Sequence, residues 1–96
     1  MKYEADRLVV AKSTPVFYAF ERDGYKSNTV RVVDTAEKAL LEACRRIEIV
    51  NTESGESFTR DITTIVDATW PLSKAPGLTI DPGTHIVCIS WAGEKA

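Results

Sequence analysis

Residues 14–34 read TPVFYAFERDGYKSNTVRVVD, and this stretch predicts a helix, a turn and a strand in close succession. A hydroxyl residue, Ser13 or Thr14, caps the helix, and Pro15 suits its first turn because the amide there needs no acceptor. Gly24 ends the helix, since glycine readily adopts the positive φ that follows a helical C-terminus. The polar loop beyond it leads into the strand around which the fold is organised.

The helix has one apolar face, in which apolar residues recur three and four positions apart. Its members are Val16, Phe17, Ala19 and Phe20. We expect Phe17 and Phe20 to lie in the core, as large apolar side chains usually do. Tyr25, in the loop, has two interpretations: an exposed ring without a role, or a ring that stacks on a base.

Residues 28–33 alternate in character, which predicts a β-strand. Thr29 and Arg31 lie two positions apart and therefore point to one face, and the loop can bring Lys26 towards them. Two cations beside a hydroxyl can hold a phosphate, a carboxylate or a polarised carbonyl. The alternative is a solvated loop followed by an edge-strand arginine, because surface cations are common.

The spacing Gly24-x-Lys26-x-x-Thr29-x-Arg31, after a helix that begins Pro-x-Phe, resembles the signature of the ASCH domains. The family usually has Glu where this chain has threonine, and threonine there is similar to the small ASCH amidohydrolases, which deacylate N4-acetylcytidine. The resemblance covers most of the chain and implies a PUA-like fold with a pocket for RNA or a nucleotide-type ligand. The implied ligand-binding residues are Lys12, Tyr25, Lys26, Asn28, Thr29 and Arg31.

The same resemblance implies a catalytic alternative. In those amidohydrolases the matching lysine and threonine act with a glutamate from a segment before the final strand. The corresponding residues here, 69–83, hold three prolines and no glutamate. Asp67 is the nearest carboxylate by strand order, so a hydrolase would use Lys26, Thr29 and Asp67.

Composition limits the classes of protein that fit. Ninety-six residues make one domain, 1–96, and 44% hydrophobic residues suffice for a globular core. A net charge of −2 does not favour long nucleic acids held through bulk charge, but it is compatible with a local basic pocket. No apolar run reaches the roughly 18 residues of a membrane helix, and the N-terminus lacks the apolar stretch of a signal peptide. We therefore expect a cytoplasmic protein with no membrane partner.

The chemistry-bearing residues other than the motif are sparse. Cys44 and Cys88 stand far apart in apolar patterns and are predicted to be buried free thiols. With one histidine, His85, and no close cysteine pair, the sequence predicts no metal site and no cofactor. No Ser-His-Asp arrangement, phosphate-binding loop or metal-ligand cluster is visible.

The remaining segments predict an α+β fold, a small mixed PUA-like β-barrel of five or six strands with two helices. A second helix over residues 35–46 buries a stripe formed by Ala36, Ala39, Leu40, Ala43 and Cys44. The predicted strands are 7–11, 28–33, 47–50, 58–67, 78–80 and 85–91. Strands 47–50 and 58–67 are predicted to form a hairpin, and strand 28–33 is expected to have a neighbour on each side.

Three functions stay open at this point. The first is an ASCH-like module that binds RNA or a nucleotide-type ligand, and the second is a small amidohydrolase acting on an acylated nucleoside. The third is a protein-interaction module that has lost the site. A carboxylate near Lys26 in the folded pocket would favour the second, and an exposed apolar patch around Trp70 and Trp91 would favour the third.

Overall fold

The computed structural model describes residues 1–92 as an α+β domain, which confirms the predicted fold class. Its strands are β1 (Lys2–Glu4), β2 (Leu8–Ser13), β3 (Asn28–Asp34), β4 (Arg46–Asn51), β5 (Ser57–Asp67) and β6 (Thr84–Trp91). Its helices are α1 (Pro15–Arg22), α2 (Thr35–Glu42) and the short α3 (Thr69–Leu72). None of these helices has the length and apolarity required to cross a membrane.

The strands form one mixed sheet in the order β1-β2-β4-β5-β6-β3, curled into a half-barrel. β2 and β4 run parallel, and the other neighbouring pairs run antiparallel. The predicted hairpin is the β4–β5 pair.

The motif strand β3 lies at one edge of this order. It pairs with β6 from Asn28↔Ser90 to Asp34↔Thr84, and the prediction that it has a neighbour on each side is wrong. The reason lies in β1, which folds back on β2 through Asp6 and Arg7, two residues with positive φ of 64° and 60°. With β1 and β4 on its two sides, β2 has no free edge to offer to β3.

The core occupies the inner face of the half-barrel. The buried apolar residues come from alternate strand positions and from one face of each long helix: Val9, Ala11, Tyr18, Val33, Leu41, Cys44, Ile47, Ile49, Val87, Ile89 and Trp91. Along β6, Val87, Ile89 and Trp91 lie inside at alternate positions, as expected of a strand with one face on the core. Each fully buried isoleucine or valine stabilises the fold by about 1.5–3 kcal/mol relative to an exposed one.

Helix α1 turns a different face to the sheet than predicted. Phe17 and Phe20 are 55% and 49% exposed, so their assignment to the core is wrong. Tyr18 and Glu21, three positions apart, are buried instead. The ring of Tyr18 packs on Phe58 of β5 with centroids 5.4 Å apart, and this contact sets the rotation of the helix.

Helix α2 is also rotated relative to the predicted stripe. Leu41 and Cys44 are buried, whereas Leu40 is exposed, as are the three alanines of that stripe. A polar contact on the inner side accounts for the rotation, because the Tyr3 hydroxyl donates to the Glu37 carboxylate at 2.9 Å. Apolar periodicity within the helix does not reveal this contact, because Glu37 is polar and its partner lies on β1.

The proline-rich segment contains α3, and residues 78–80 are not a strand, contrary to the prediction. β6 is flanked by β5 and β3, so a strand at 78–80 would find no free edge there. Trp70 is 72% exposed at the start of this segment while Trp91 is buried in the core, so the two do not share a surface patch.

Candidate functional site

The turn after α1 brings Lys26 back to the end of the helix. The amides of Tyr25 and Lys26 both donate to the carbonyl of Phe20, at 3.0 and 3.1 Å. This return needs Gly24 at a φ of 85°, a conformation that glycine adopts without a steric penalty. The side chain of Lys26 consequently lies beside the last turn of the helix that precedes it.

Lys26 pairs with a carboxylate that is buried in the protein. Its Nζ donates to Glu21 Oε2 at 2.9 Å and to the carbonyl of Asn28 at 2.5 Å. The Glu21 side chain is 1% exposed and the Lys26 side chain 32% exposed, so the pair lies at the boundary between core and solvent. The second carboxylate oxygen, Glu21 Oε1, is buried and has no hydrogen-bond partner within residues 1–92.

Arg31 links the motif strand to β2. Its Nε donates to the hydroxyl of Thr29 at 3.0 Å, as their shared strand face predicts, and its Nη2 donates to the carbonyl of Lys12 at 2.9 Å. Thr29 is 5% exposed and Arg31 is half-buried. The guanidinium thus spans the gap between β3 and β2, where no strand pairing is made.

These groups line one cavity of about 380 Å³. Its walls are residues 12–14 from the end of β2, Phe17 and Glu21 from α1, Lys26 from the turn, and residues 28–31 from β3. The Lys26 ammonium lies 5.8 Å from the centroid of the Phe17 ring. The lining of the cavity therefore includes a buried carboxylate, three cationic side chains, a buried hydroxyl and a half-exposed aromatic ring.

Most of the residues predicted to bind a ligand meet in this cavity. Lys12, Lys26, Asn28, Thr29 and Arg31 all belong to its lining. Tyr25 does not, because its ring packs edge-on against Phe20 with centroids 6.4 Å apart and is 82% exposed.

Asp67, the carboxylate proposed from strand order to act with Lys26, belongs to another cluster. Its partners are Thr69, His85 and Lys38, and it is absent from the cavity lining. The hydroxyl and amide of Thr69, which both donate to Asp67, hold the pKa of this carboxyl well below its usual range, with His85 and Lys38 adding to the shift. Across residues 1–92, no group of three or more His, Cys, Asp or Glu side chains is arranged to hold a metal ion.

The carboxylate that does contact Lys26 is Glu21, which sequence reasoning missed. The resemblance implies an acid from the segment before the final strand, whereas the acid beside Lys26 comes from α1, the helix before the motif. The spacing in the sequence does indicate this arrangement, because Tyr18 and Glu21 lie three positions apart and share one helix face. Taking Tyr18 as the buried aromatic would have placed Glu21 inside as well.

Comparison of the chain with protein-family models, with curated proteins and with solved structures gives no match. The chemistry of the cavity is therefore argued from its own geometry.

Proposed function

We propose that the cavity between β2, α1 and β3 binds a nucleoside-type ligand, as the resemblance to ASCH domains suggests. The observation that carries this proposal is the pairing of Lys26 in the cavity wall with Glu21, a buried carboxylate whose second oxygen has no partner within residues 1–92. A buried acceptor left unpaired costs about 1–3 kcal/mol, and a ligand that donates a hydrogen bond to it removes that cost.

The donors and acceptors of the cavity match a nucleobase. An exocyclic amine or ring N–H can donate to Glu21, and a carbonyl or phosphate oxygen can accept from Lys26 and Arg31, whose donor hydrogens outnumber their protein acceptors. The exposed face of Phe17 is available for stacking. A volume of about 380 Å³ is near the lower end for ligand pockets, which fits a nucleoside or mononucleotide better than a long strand.

The test is titration of the protein with cytidine, uridine, their monophosphates and short RNAs at one fixed salt concentration. Arg31→Ala and Glu21→Gln should each weaken binding by about 1–3 kcal/mol, the usual loss for a charge-assisted contact. Lys74→Ala removes a cation that lies over Trp70, outside the cavity lining, and serves as the control. Absence of binding to every probe by the wild type, or equal binding by Arg31→Ala, would remove this proposal.

A second candidate function, hydrolysis of an acylated exocyclic amine, is favoured by the contact between Glu21 and Lys26. Lys26 and Arg31 would donate to the acyl oxygen, which becomes negatively charged in the transition state. Thr29, with its hydroxyl held by Arg31, would position the attacking water. Glu21 would take a proton from that water and pass it to the leaving amine, the role for which a carboxylate is needed.

Incubation with N4-acetylcytidine, followed by chromatography for cytidine, separates the two candidates. Glu21→Gln should lower turnover by about 100-fold, the contribution of a general acid–base group. Glu53→Gln, which changes an exposed carboxylate in the β4–β5 turn, should leave it unchanged. Wild-type turnover at the buffer rate would exclude hydrolysis of this substrate and leave binding as the function.

A further inference from the structure

A hydroxyl, an imidazole and a carboxylate are hydrogen-bonded to one another at a place apart from the cavity. The Thr35 hydroxyl is 3.0 Å from His85 Nε2, and His85 Nδ1 is 3.1 Å from Asp67 Oδ2. The three residues come from the start of α2, the start of β6 and the end of β5, so the fold brings together positions that are distant in sequence. None of them lines the cavity of Lys26.

The directions of the hydrogen bonds in the row Thr35–His85–Asp67 follow from the chemistry of the three side chains. An ionised carboxylate can only accept, so the hydrogen on the imidazole stands on Nδ1 and is donated to Asp67. Nε2 of the neutral ring is then an acceptor, and the Thr35 hydroxyl donates to it. A hydroxyl that donates to an imidazole, which is oriented in turn by a carboxylate, is the arrangement that activates nucleophiles in acyl transfer.

Asp67 is held in place from its other side. The Thr69 amide donates to Asp67 Oδ1 at 2.9 Å, and the Thr69 hydroxyl donates to the same oxygen. That hydroxyl in turn accepts from the amide of Ile86 at 2.9 Å, which ties it to β6 next to His85. Lys38 Nζ lies 3.5 Å from Asp67 Oδ2 and adds a positive charge. These contacts keep Asp67 ionised and oriented towards the imidazole.

Thr35 lies at the N-terminus of α2, where the first backbone amides have no acceptor within the helix. It is the first residue of α2, and the Asp34 side chain caps the helix by accepting from the Glu37 amide at 2.7 Å. The Ala36 amide lies in the first turn and has no acceptor within the helix, so it can donate to an oxyanion formed at Thr35. Thr35 is exposed, and the side chains of His85 and Asp67 are 25% and 30% exposed, so a small substrate can reach the row.

We propose that Thr35, His85 and Asp67 form an acyl-transfer centre that hydrolyses small activated esters. Thr35 Oγ attacks the ester carbonyl carbon while His85 Nε2 takes the hydroxyl proton. The bond from that carbon to the alcohol oxygen then breaks, and His85 returns the proton to the departing alkoxide. Water deprotonated by His85 attacks the acyl group on Thr35, which releases the carboxylic acid and restores the hydroxyl.

The test uses 4-methylumbelliferyl acetate, with release of the fluorophore as the rate and peptide mass mapping as the second readout. The wild type should carry an acetyl group on Thr35 when quenched during turnover. Thr35→Val and His85→Gln should each reduce the rate about 100-fold, the contribution of an activated nucleophile and its base. Thr35→Ser keeps the hydroxyl and should retain activity, and Thr59→Val, an exposed threonine elsewhere on β5, is the matched control.

Thr35→Val changes an exposed side chain, and circular dichroism establishes that it folds like the wild type. A Thr35→Val variant that hydrolyses the ester as fast as the wild type would overturn the proposal. So would acetylation that maps to lysines and not to Thr35. Loss of activity in Thr35→Val and His85→Gln, with retention in Thr35→Ser and Thr59→Val, would establish the centre.

Discussion

Replacing Lys26 by methionine should destabilise the protein, although the residue lies in a loop. The substitution keeps the aliphatic stem and removes the charge that faces Glu21 at 2.9 Å. Breaking a fully buried ion pair costs about 3–5 kcal/mol, because a charge is left without compensation. Here the Glu21 side chain is 1% exposed but that of Lys26 is 32% exposed, and screening by water reduces the expected loss to about 2 kcal/mol.

The measurement is urea unfolding followed by circular dichroism, with the double-mutant cycle of Lys26→Met and Glu21→Gln. Glu21→Gln alone should cost about 0.5–1.5 kcal/mol, since the amide keeps the shape of the side chain and Lys26 can turn to solvent. The double variant should be more stable than the sum of the two losses predicts, by about 1–2 kcal/mol.

Lys12→Met is the matched control, because Lys12 is an exposed lysine of the same cavity wall, whose contact to Arg31 uses its backbone carbonyl. It should change the free energy of unfolding by no more than about 0.5 kcal/mol. A loss in Lys26→Met that is equally small, or strictly additive losses in the double variant, would refute the view that Glu21 carries a buried charge.

The remaining predictions concern the rotation of α1, the cysteines and pH. Phe20→Ser should lower the free energy of unfolding in urea by about 1 kcal/mol or less, because the Phe20 side chain is half exposed. Tyr18→Ala should lower it by about 3–5 kcal/mol, because Tyr18 is buried against β5. Cys88 should react with a thiol reagent before Cys44, which is 7% exposed and whose thiol pKa is raised by burial; equal rates would contradict this. The pKa of Asp67 is lowered on folding, so this carboxylate stabilises the protein at pH values above its unfolded pKa of about 3.9. That stabilisation is lost as the pH falls below this value. The difference in unfolding free energy between wild type and Asp67→Asn should therefore shrink below about pH 4, as measured by unfolding across an acid titration.

Strand alternation and turn chemistry were sufficient to predict most of the fold. The β4–β5 hairpin follows from an Asn-to-Gly turn between two strand patterns, and the inner face of β6 follows from period-two alternation. The same alternation correctly put Thr29 and Arg31 side by side, as their hydrogen bond of 3.0 Å shows. Local rules suffice in these cases because the interactions lie within a few residues or within one strand face.

Helix rotation and strand neighbours were not predictable in the same way. In α1 the apolar residues Phe17 and Phe20 give the stronger periodic signal, yet the buried face contains Tyr18 and Glu21. That face is selected by long-range partners, a ring on β5 and a lysine beyond the turn, which carry no periodicity within the helix. The edge position of β3 likewise depends on β1, three residues at the N-terminus whose pattern is too short to predict a strand.

The unclosed edge of the half-barrel explains why charged and polar side chains line part of the cavity. Had β3 paired with β2, their backbone groups would satisfy one another and the interior there would be apolar, as it is along β4 and β6. Instead the Arg31 side chain reaches across to the carbonyl of Lys12, and α1 lies over the gap with Glu21 on its buried face. The cavity walls thus all come from residues 12–31, a single run of chain that leaves β2, crosses the gap and enters β3. A ligand bound there would supply hydrogen bonds of the kind that a closed barrel would have made between its strands.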